Sequence, residues 1–134
     1  MGKPKSILLV DDDDTTNFLN RFFVNQVDAS IAVHVVANGE EALSFMALNA
    51  DEDTLPCLLI LDTNMPVMNG WEFLNEFELR FESMVKKRVV IVMMTAVDTD
   101  DVIEKAMSAP NVTDTAQKPL SDMKFRMLID KHFN

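Results

Sequence analysis

The sequence predicts an α/β protein with a parallel β-sheet that carries helices on both faces. Short apolar segments alternate with segments in which apolar residues recur at helical spacing, and this alternation is typical of parallel sheets. The apolar segments at residues 7–10, 57–61 and 89–94 lack polar alternation, which indicates strands that are covered on both faces. With 134 residues and no linker or internal repeat, the chain is expected to form one domain.

Five strands are predicted in chain order. The first, third and fourth contain the apolar segments just described, the second reads Ile-Ala-Val-His-Val-Val-Ala, and the fifth has the weakest pattern. The predicted strands cover residues 6–10, 31–37, 57–61, 89–95 and 112–117.

A helix is predicted after each strand. The expected helix starts are Asp14 or Thr15, the turn Asn38-Gly39, the beginning of a segment near 70–83, Asp98 and Ser121. The apolar residues at helical spacing are expected to form the core; they are Phe18, Leu19, Phe22, Phe23, Ala42, Phe45, Met46, Phe73 or Leu74, Phe77, Phe81, Val102, Ile103, Ala106, Met107, Phe125, Leu128 and Ile129.

Composition and charge exclude several classes of function. The formal net charge of -10 argues against direct binding to nucleic acid, which requires a basic surface. No apolar run approaches the roughly 20 residues of a membrane span, and no signal peptide is visible. We therefore expect no membrane association and a cytoplasmic location. The single cysteine, Cys57, opens an apolar strand and is expected to be a buried, unreactive thiol.

Unusual polar residues follow the predicted strands. Asp11 and Asp12 come after the first strand, Asp62 after the third, Thr95 ends the fourth, and Lys118 follows the fifth. Because parallel strands end at the same edge of a sheet, these side chains are expected to share one site. If the second strand lies at the sheet edge, the first and third are neighbours, and the crevice between them is a topological switch point.

The chemistry of these residues indicates a magnesium site beside a phosphoryl group. Three converging carboxylates repel one another unless a divalent cation or a shared proton relieves the charge, and Mg²⁺ prefers carboxylate and phosphate oxygens. Lys118 offers a positive charge to a phosphoryl oxygen, and Thr95 offers a hydroxyl. Asp62 stands alone after its strand and is the expected nucleophile, because carboxylates form aspartyl phosphates.

Four separated motifs resemble the receiver domain of two-component response regulators, of the stand-alone, single-domain type. They are Val10-Asp11-Asp12-Asp13, the segment from Leu61 to Gly70, Met94-Thr95-Ala96 and Lys118-Pro119. The resemblance covers about residues 6–133 and implies the flavodoxin-like (βα)5 fold with strand order 2-1-3-4-5. Residues 1–134 are then one receiver domain with no output domain.

The resemblance also implies the roles of the site residues. Asp62 accepts a phosphoryl group from a sensor histidine kinase or a histidine phosphotransfer protein. Asp12 binds Mg²⁺ directly, Asp11 binds it directly or through water, and the backbone carbonyl of Asn64 is a further ligand. Enzymatic activity is not expected beyond self-catalysed phosphoryl transfer and slow autodephosphorylation.

Two further residues complete the implied switch. Lys118 pairs with the phosphoryl group, aimed by a cis peptide bond before Pro119, and Thr95 moves toward the phosphoryl group. The chain departs from the family at Thr115, where receivers commonly have an aromatic or histidine ring, and at Val97, where many have a polar residue. Asn64 and Val97 are expected to tune the lifetime of the phosphorylated state.

Several alternatives remain open. The chain could be a phosphorelay intermediate, a magnesium-dependent phosphatase of the haloacid dehalogenase type, or a receiver-like protein that binds a partner without phosphorylation. The phosphatase family requires a second aspartate where this chain has Asn64, and the complete set of site residues opposes the unphosphorylated alternative. The downstream partner is an unknown protein, and the resemblance also allows a homodimer through the fourth helix, fifth strand and fifth helix.

Overall fold

The computed structural model describes residues 2–133. Helices follow the strands along the chain in the order expected for βα units. The elements are β1 (Ser6–Val10), α1 (Asp14–Val27), β2 (Ala32–Val36), α2 (Gly39–Asn49), β3 (Cys57–Leu61), α3 (Gly70–Arg80), α4 (Ser83–Lys86), β4 (Val89–Thr95), α5 (Asp100–Ser108), β5 (Val112–Gln117) and α6 (Asp122–His132). All five predicted strands are confirmed; β2 is one residue shorter than predicted at each end.

The five strands form one parallel sheet in the order β2-β1-β3-β4-β5. This confirms the predicted fold class and strand order, with β2 at one edge. In the central pair, Ser6 of β1 lies opposite Cys57 of β3, and Val10 lies opposite Leu61. The two strands therefore end level with each other, and the residues that follow them enter the same crevice.

Apolar side chains cover both faces of the sheet. One core cluster joins the sheet to α2, α3 and α5 and includes Leu59, Phe73 and Phe77. The other joins it to α1 and α6 and includes Ile60 and Phe125. Every residue of β1 and β3 is buried, which explains why their sequences lack polar alternation.

Helix α1 turns a different face inward than its aromatic residues predicted. Its buried residues are Asn17, Asn20 and Val24, whereas Phe18 and Phe22 are 69% and 49% exposed. The prediction that Phe18, Leu19 and Phe22 belong to the core is therefore wrong. A second stripe at helical spacing competes with the aromatic one: it contains the buried Val24, with Phe23 and Val27 packed beside it, and Asn17 Nδ2 donates to the Asp11 carbonyl oxygen at 2.8 Å.

Other parts of the helix predictions also need correction. The cap of α1 is Asp13, whose Oδ2 accepts a hydrogen bond from the Thr16 amide at 2.9 Å, instead of Asp14 or Thr15. Thr99, not Asp98, precedes α5. The segment near 70–83 divides into α3 and the short α4, and Met107 is 44% exposed. Ser121 does cap α6, as predicted.

Candidate functional site

Three carboxylates converge at the carboxyl edge of the sheet. Asp11 and Asp12 follow β1 directly, and Asp62 follows β3, because the preceding residues Val10 and Leu61 are paired in the sheet. One oxygen from each carboxylate lies within 4.8 Å of the others. Asp11 and Asp62 are buried, with 1% and 8% exposure, while Asp12 is exposed. The structure thus brings together the three acidic residues that the sequence singled out.

Lys118 lies between the two buried carboxylates. Its Nζ is 3.0 Å from Asp11 Oδ2 and 3.2 Å from Asp62 Oδ1. Its backbone amide donates to the Thr95 carbonyl oxygen at 2.8 Å, and the peptide bond to Pro119 is cis. Burial alone would lower the pKa of Lys118, but the attraction of Asp11 and Asp62 is larger and raises it. The ammonium group therefore stays charged and offsets part of the repulsion between the carboxylates.

The surroundings of Asp62 disfavour its ionised form. Burial, and then the neighbouring negative charge of Asp11, raise the pKa of Asp62, against the opposing effects of Lys118 and of a hydrogen bond from the Thr63 amide to Oδ1 at 2.9 Å. A cation bound beside Asp62, or a covalent modification of its carboxylate, would relieve this unfavourable burial of negative charge. Low solvation of this kind is expected of a nucleophilic carboxylate.

A glycine allows the helix that follows to approach Asp62 closely. Asn69 and Glu72 form a reciprocal capping box at the start of α3. The first helical residue, Gly70, donates to the Thr63 carbonyl oxygen at 3.0 Å. A β-carbon at position 70 would clash with the carbonyl oxygen of Asp62 and would lie 3.2 Å from the Thr63 Cα atom. The start of α3 thus touches the backbone of the candidate nucleophile.

The acidic cluster has the donor set that Mg²⁺ prefers. All its candidate ligands are carboxylate oxygens. The buried Asp11 Oδ2 accepts no hydrogen bond, and its contact with Lys118 is an ion pair without hydrogen-bond geometry. A buried acceptor without a directional donor is unusual, and a bound cation would complete its coordination. The residues present therefore fit a magnesium ion.

Thr95 makes a contact that the sequence did not predict. Its side chain is buried at the end of β4, and its Oγ1 donates to Asp98 Oδ1 at 3.2 Å. Asp98, expected to cap a helix, instead holds the hydroxyl of Thr95. The short spacing Thr95-x-x-Asp98 was the available signal, but it is also a common helix-start pattern.

A cavity borders Thr95 on the side of α5. Its volume is about 320 Å³, and its lining includes Asn64, Val97, Trp71 and Lys105. Lys105 Nζ lies 4.6 Å from the ring centroid of Trp71, a cation–π contact between α5 and the first turn of α3. The two positions predicted to tune phosphoryl lifetime, Asn64 and Val97, therefore share one cavity with Thr95.

Thr115 lies in β5 beside Met93 of β4. Its side chain is partly exposed, and its amide donates to Asp114 Oδ1 at 2.8 Å. A threonine at this position provides no ring that could move between an inner and an outer position. Thr115 therefore differs from the ring that is common at this position in receivers by its smaller side-chain volume.

A five-stranded sheet in this order, with carboxylates, a threonine and a lysine at one edge, defines the class that the motifs resemble. The profile of the response regulator receiver domain matches residues 7–130, and the chain belongs to this family. Receiver domains accept phosphoryl groups from histidine kinases or phosphotransfer proteins and bind Mg²⁺ at their acidic pocket; they are generally signalling phosphoacceptors and not classical enzymes.

Similar proteins come from several bacteria. The two component response regulator from Cytophaga hutchinsonii has a similar structure, with a TM-score of 0.86 and 28% identity over 98% of both chains. Response regulator Rcp1 of Synechocystis sp. is 28% identical over 93% of this chain and 84% of that protein. An uncharacterised 14.6 kDa protein of Leptolyngbya boryana is 43% identical over 68 residues, which are 51% of this chain and 47% of the relative.

The chain spans about half the length of the first curated relatives that it matches, between 47% and 53%. In the part of the chain that the structure describes, no helix combines the length and the apolar character needed to cross a membrane.

Proposed function

We propose that Asp62 accepts a phosphoryl group from a phosphohistidine of a sensor histidine kinase or a phosphotransfer protein. The observation that carries this proposal is the buried position of Asp62, whose carboxylate shares the ammonium group of Lys118 with the carboxylate of Asp11. The pKa of Asp62 is raised, yet Lys118 keeps a positive charge within 3.2 Å of its oxygen. Such a pair favours transfer of an anionic group to the carboxylate.

In the proposed reaction, a carboxylate oxygen of Asp62 attacks the phosphorus atom. The new O–P bond forms as the N–P bond of the phosphohistidine breaks, and the bonding electron pair returns to the imidazole nitrogen. Lys118 then transfers its ion pair from the carboxylates to a phosphoryl oxygen. The Thr95 hydroxyl exchanges Asp98 for another phosphoryl oxygen, which draws the end of β4 toward Asp62.

The proposed magnesium ligands are the carboxylates of Asp11, Asp12 and Asp62 and the backbone carbonyl of Asn64. When bound, Mg²⁺ supplies positive charge that neutralises the phosphoryl oxygens.

The proposed output is a phosphorylation-dependent contact with another protein. The chain would act as a single receiver domain in the cytoplasm, where its phosphoryl donor is accessible, without a DNA-binding role of its own. A phosphorelay intermediate, which returns the phosphoryl group to a histidine, uses the same site. Alternatively, phosphorylation would promote a homodimer through α5, β5 and α6.

Incubation with acetyl phosphate and Mg²⁺, followed by intact mass spectrometry, tests the proposal. A phosphoryl adduct that is lost at alkaline pH or with hydroxylamine is the expected result. Turnover of acetyl phosphate without an adduct would favour the phosphatase. A protein without adduct or turnover would be the receiver-like binding protein, and the proposal would be wrong.

Relay and output are separated by the fate of the adduct. A phosphotransfer protein that contains one reactive histidine is added to the purified phosphorylated chain. Loss of the adduct together with the appearance of phosphohistidine indicates a relay. An adduct that persists, combined with capture of a different protein only in the presence of beryllofluoride, indicates direct output.

A further inference from the structure

Asn17 is a polar residue that α1 buries beside the acidic cluster, and the chemistry described above does not use it. Its side chain is 7% exposed, and its Nδ2 donates to the backbone carbonyl oxygen of Asp11 at 2.8 Å. Its other amide atom, Oδ1, is buried and has no hydrogen-bond partner within residues 2–133. The one hydrogen bond that the Asn17 side chain makes therefore ends on a residue of the acidic cluster.

Stability alone does not explain an asparagine at this position. A hydrogen bond in a protein interior contributes less to the free energy of folding than an unpaired buried acceptor costs. An apolar side chain at position 17 would avoid the unpaired acceptor, at the loss of the contact with Asp11. A buried polar residue that is kept in spite of such a cost is typical of sites where function and stability compete.

The carbonyl group that Asn17 holds belongs to the peptide unit between Asp11 and Asp12. The neighbouring groups of Asp11 are held as well, because its amide donates to the Val36 carbonyl oxygen at 3.2 Å and its Oδ1 accepts from the Asp13 amide at 3.0 Å. Asp12 is exposed, so its carboxylate is placed mainly by its own backbone. Since the peptide unit is planar, the hydrogen bond from Asn17 fixes the orientation of the plane that leads into Asp12.

We propose that Asn17 is a positioning residue for the magnesium site. By holding the peptide between Asp11 and Asp12, it directs both carboxylates toward the place of the ion. This role rests on the proposed magnesium ligands. Loss of a group that orients metal ligands typically lowers metal affinity by roughly 10- to 100-fold. Because Asn17 acts through a backbone carbonyl and Asp11 keeps its other contacts, we expect a change of about tenfold.

The affinity for Mg²⁺ is the first measurement, by isothermal titration calorimetry without a phosphoryl donor. Asn17→Leu removes the donor and keeps the branching of the side chain, and it should raise the Kd for Mg²⁺ about tenfold relative to the wild type. Asn20→Leu changes the other buried asparagine of α1 and is the matched control, which should keep the wild-type Kd. If Asn17→Leu does not fold, Asn17→Ala provides the same comparison.

The rate of adduct formation with acetyl phosphate, measured over a range of Mg²⁺ concentrations, separates positioning from a structural defect. A structural defect leaves fewer folded molecules, which lowers the maximal rate and does not move the half-saturating Mg²⁺ concentration. Loss of positioning should raise the half-saturating concentration about tenfold and leave the maximal rate within about twofold of the wild type.

An Mg²⁺ affinity of the folded Asn17 variant equal to that of the wild type would overturn the positioning role alone. An equal loss of affinity in the Asn20 variant would overturn it as well, because the effect would then belong to the packing of α1. A wild-type protein that neither binds Mg²⁺ nor forms an adduct would contradict the proposed function together with this role.

Discussion

The two sides of the site around Asp62, here called its flanks, differ in how deeply their residues are buried. On one side, β1 and the segment after β5 hold Asp11 and Lys118 in direct contact with each other, and Asp11 is almost fully buried. On the other side, β4 ends in Thr95, and the residues after it, up to the start of α5, are exposed. The side-chain contacts there include the hydrogen bond from Thr95 to Asp98 and the cation–π pair of Lys105 and Trp71. The Thr95 and Ala96 carbonyl oxygens also accept hydrogen bonds from the Lys118 amide and from Gln117 Nε2.

This difference separates the residues that act in phosphoryl transfer from those that change their contacts after phosphorylation. The buried flank fixes charges close to the nucleophile, where low solvation makes them effective. The exposed flank contains groups whose partners can be exchanged at little cost, which a two-state switch requires. The two flanks are joined by the hydrogen bond from the Lys118 amide to the Thr95 carbonyl oxygen, and the following variants test how far their side chains nevertheless act separately.

The largest expected effect belongs to the nucleophile itself. Asp62→Asn should abolish the phosphoryl adduct formed with acetyl phosphate, because the amide is not a nucleophile for phosphorus at neutral pH. Intact mass measures the adduct directly. Asp14→Asn, which changes an exposed acid outside the cluster, is the control and should retain it. Uptake by the Asp62→Asn variant at the wild-type rate would remove Asp62 from its proposed role.

Thr95 and Thr115 should behave differently on the responding flank. The chain has one tryptophan, Trp71, so its fluorescence reports the change that beryllofluoride and Mg²⁺ induce. Thr95→Ala should reduce this change on the order of fivefold, because the hydroxyl can no longer exchange Asp98 for the phosphoryl mimic. Thr115→Ala should leave it nearly intact, since no ring moves there. The opposite pattern would place the switch at β5.

Magnesium binding tests the buried flank. Mg²⁺ should raise the free energy of unfolding by about 1–3 kcal/mol at concentrations from several to ~100 times Kd, because only the folded chain assembles the cluster. Asp12→Ala should remove most of this increase, measured as the shift in Tm. Asp14→Ala should preserve it. An unchanged wild-type melting curve at saturating Mg²⁺ would contradict the metal site.

The pH dependence of stability gives a smaller effect. Because the pKa of Asp62 is raised in the folded state, ionisation of this group costs stability as the pH rises from the unfolded pKa through the folded one. Without Mg²⁺, Asp62→Asn should therefore raise Tm at neutral pH, on the order of 3 °C. The gain should vanish below about pH 4, where both states are protonated. A gain that is constant from about pH 3 to about pH 7 would show another origin.

The smallest effect is expected for the pair of Trp71 and Lys105. Lys105→Met keeps the aliphatic stem but removes the cation, and should cost about 0.5–1 kcal/mol in the free energy of unfolding while shifting the Trp71 emission. Phosphorylation should be unaffected, because the pair belongs to the responding flank. Lys87→Met, an exposed change of the same charge, serves as control. A phosphorylation defect in the Lys105 variant alone would show that the pair of Trp71 and Lys105 influences phosphoryl transfer on the other flank.

The buried flank was predictable because its sequence has one interpretation. Strands buried on both faces read as uninterrupted apolar runs, and a carboxylate placed after such a run must appear at the edge of the sheet. Asp11, Asp12 and Asp62 therefore came together from strand ends, whereas Lys118 follows β5, which is not an apolar run and had the weakest pattern of the five strands. Which strand neighbours which was given only in part by this reasoning and was completed by the motif resemblance.

Helix faces and exchangeable contacts were not predictable in the same way. In α1, aromatic residues and asparagines both recur at helical spacing, and the pattern alone does not show that Asn17 and Val24 turn inward. The hydrogen bond from Thr95 to Asp98 depends on where α5 begins, and helix ends are the least certain feature of a pattern.

The close contact between Gly70 and the carbonyl oxygen of Asp62 has a consequence for how such a sequence can diverge. Charged residues around the site can be exchanged with a change in rate or affinity, but position 70 has no room for even one additional carbon atom. A methyl group there would displace either the nucleophile or the entire start of α3. The position near the site that tolerates substitution least is therefore a glycine, which has no side chain and takes no part in the chemistry.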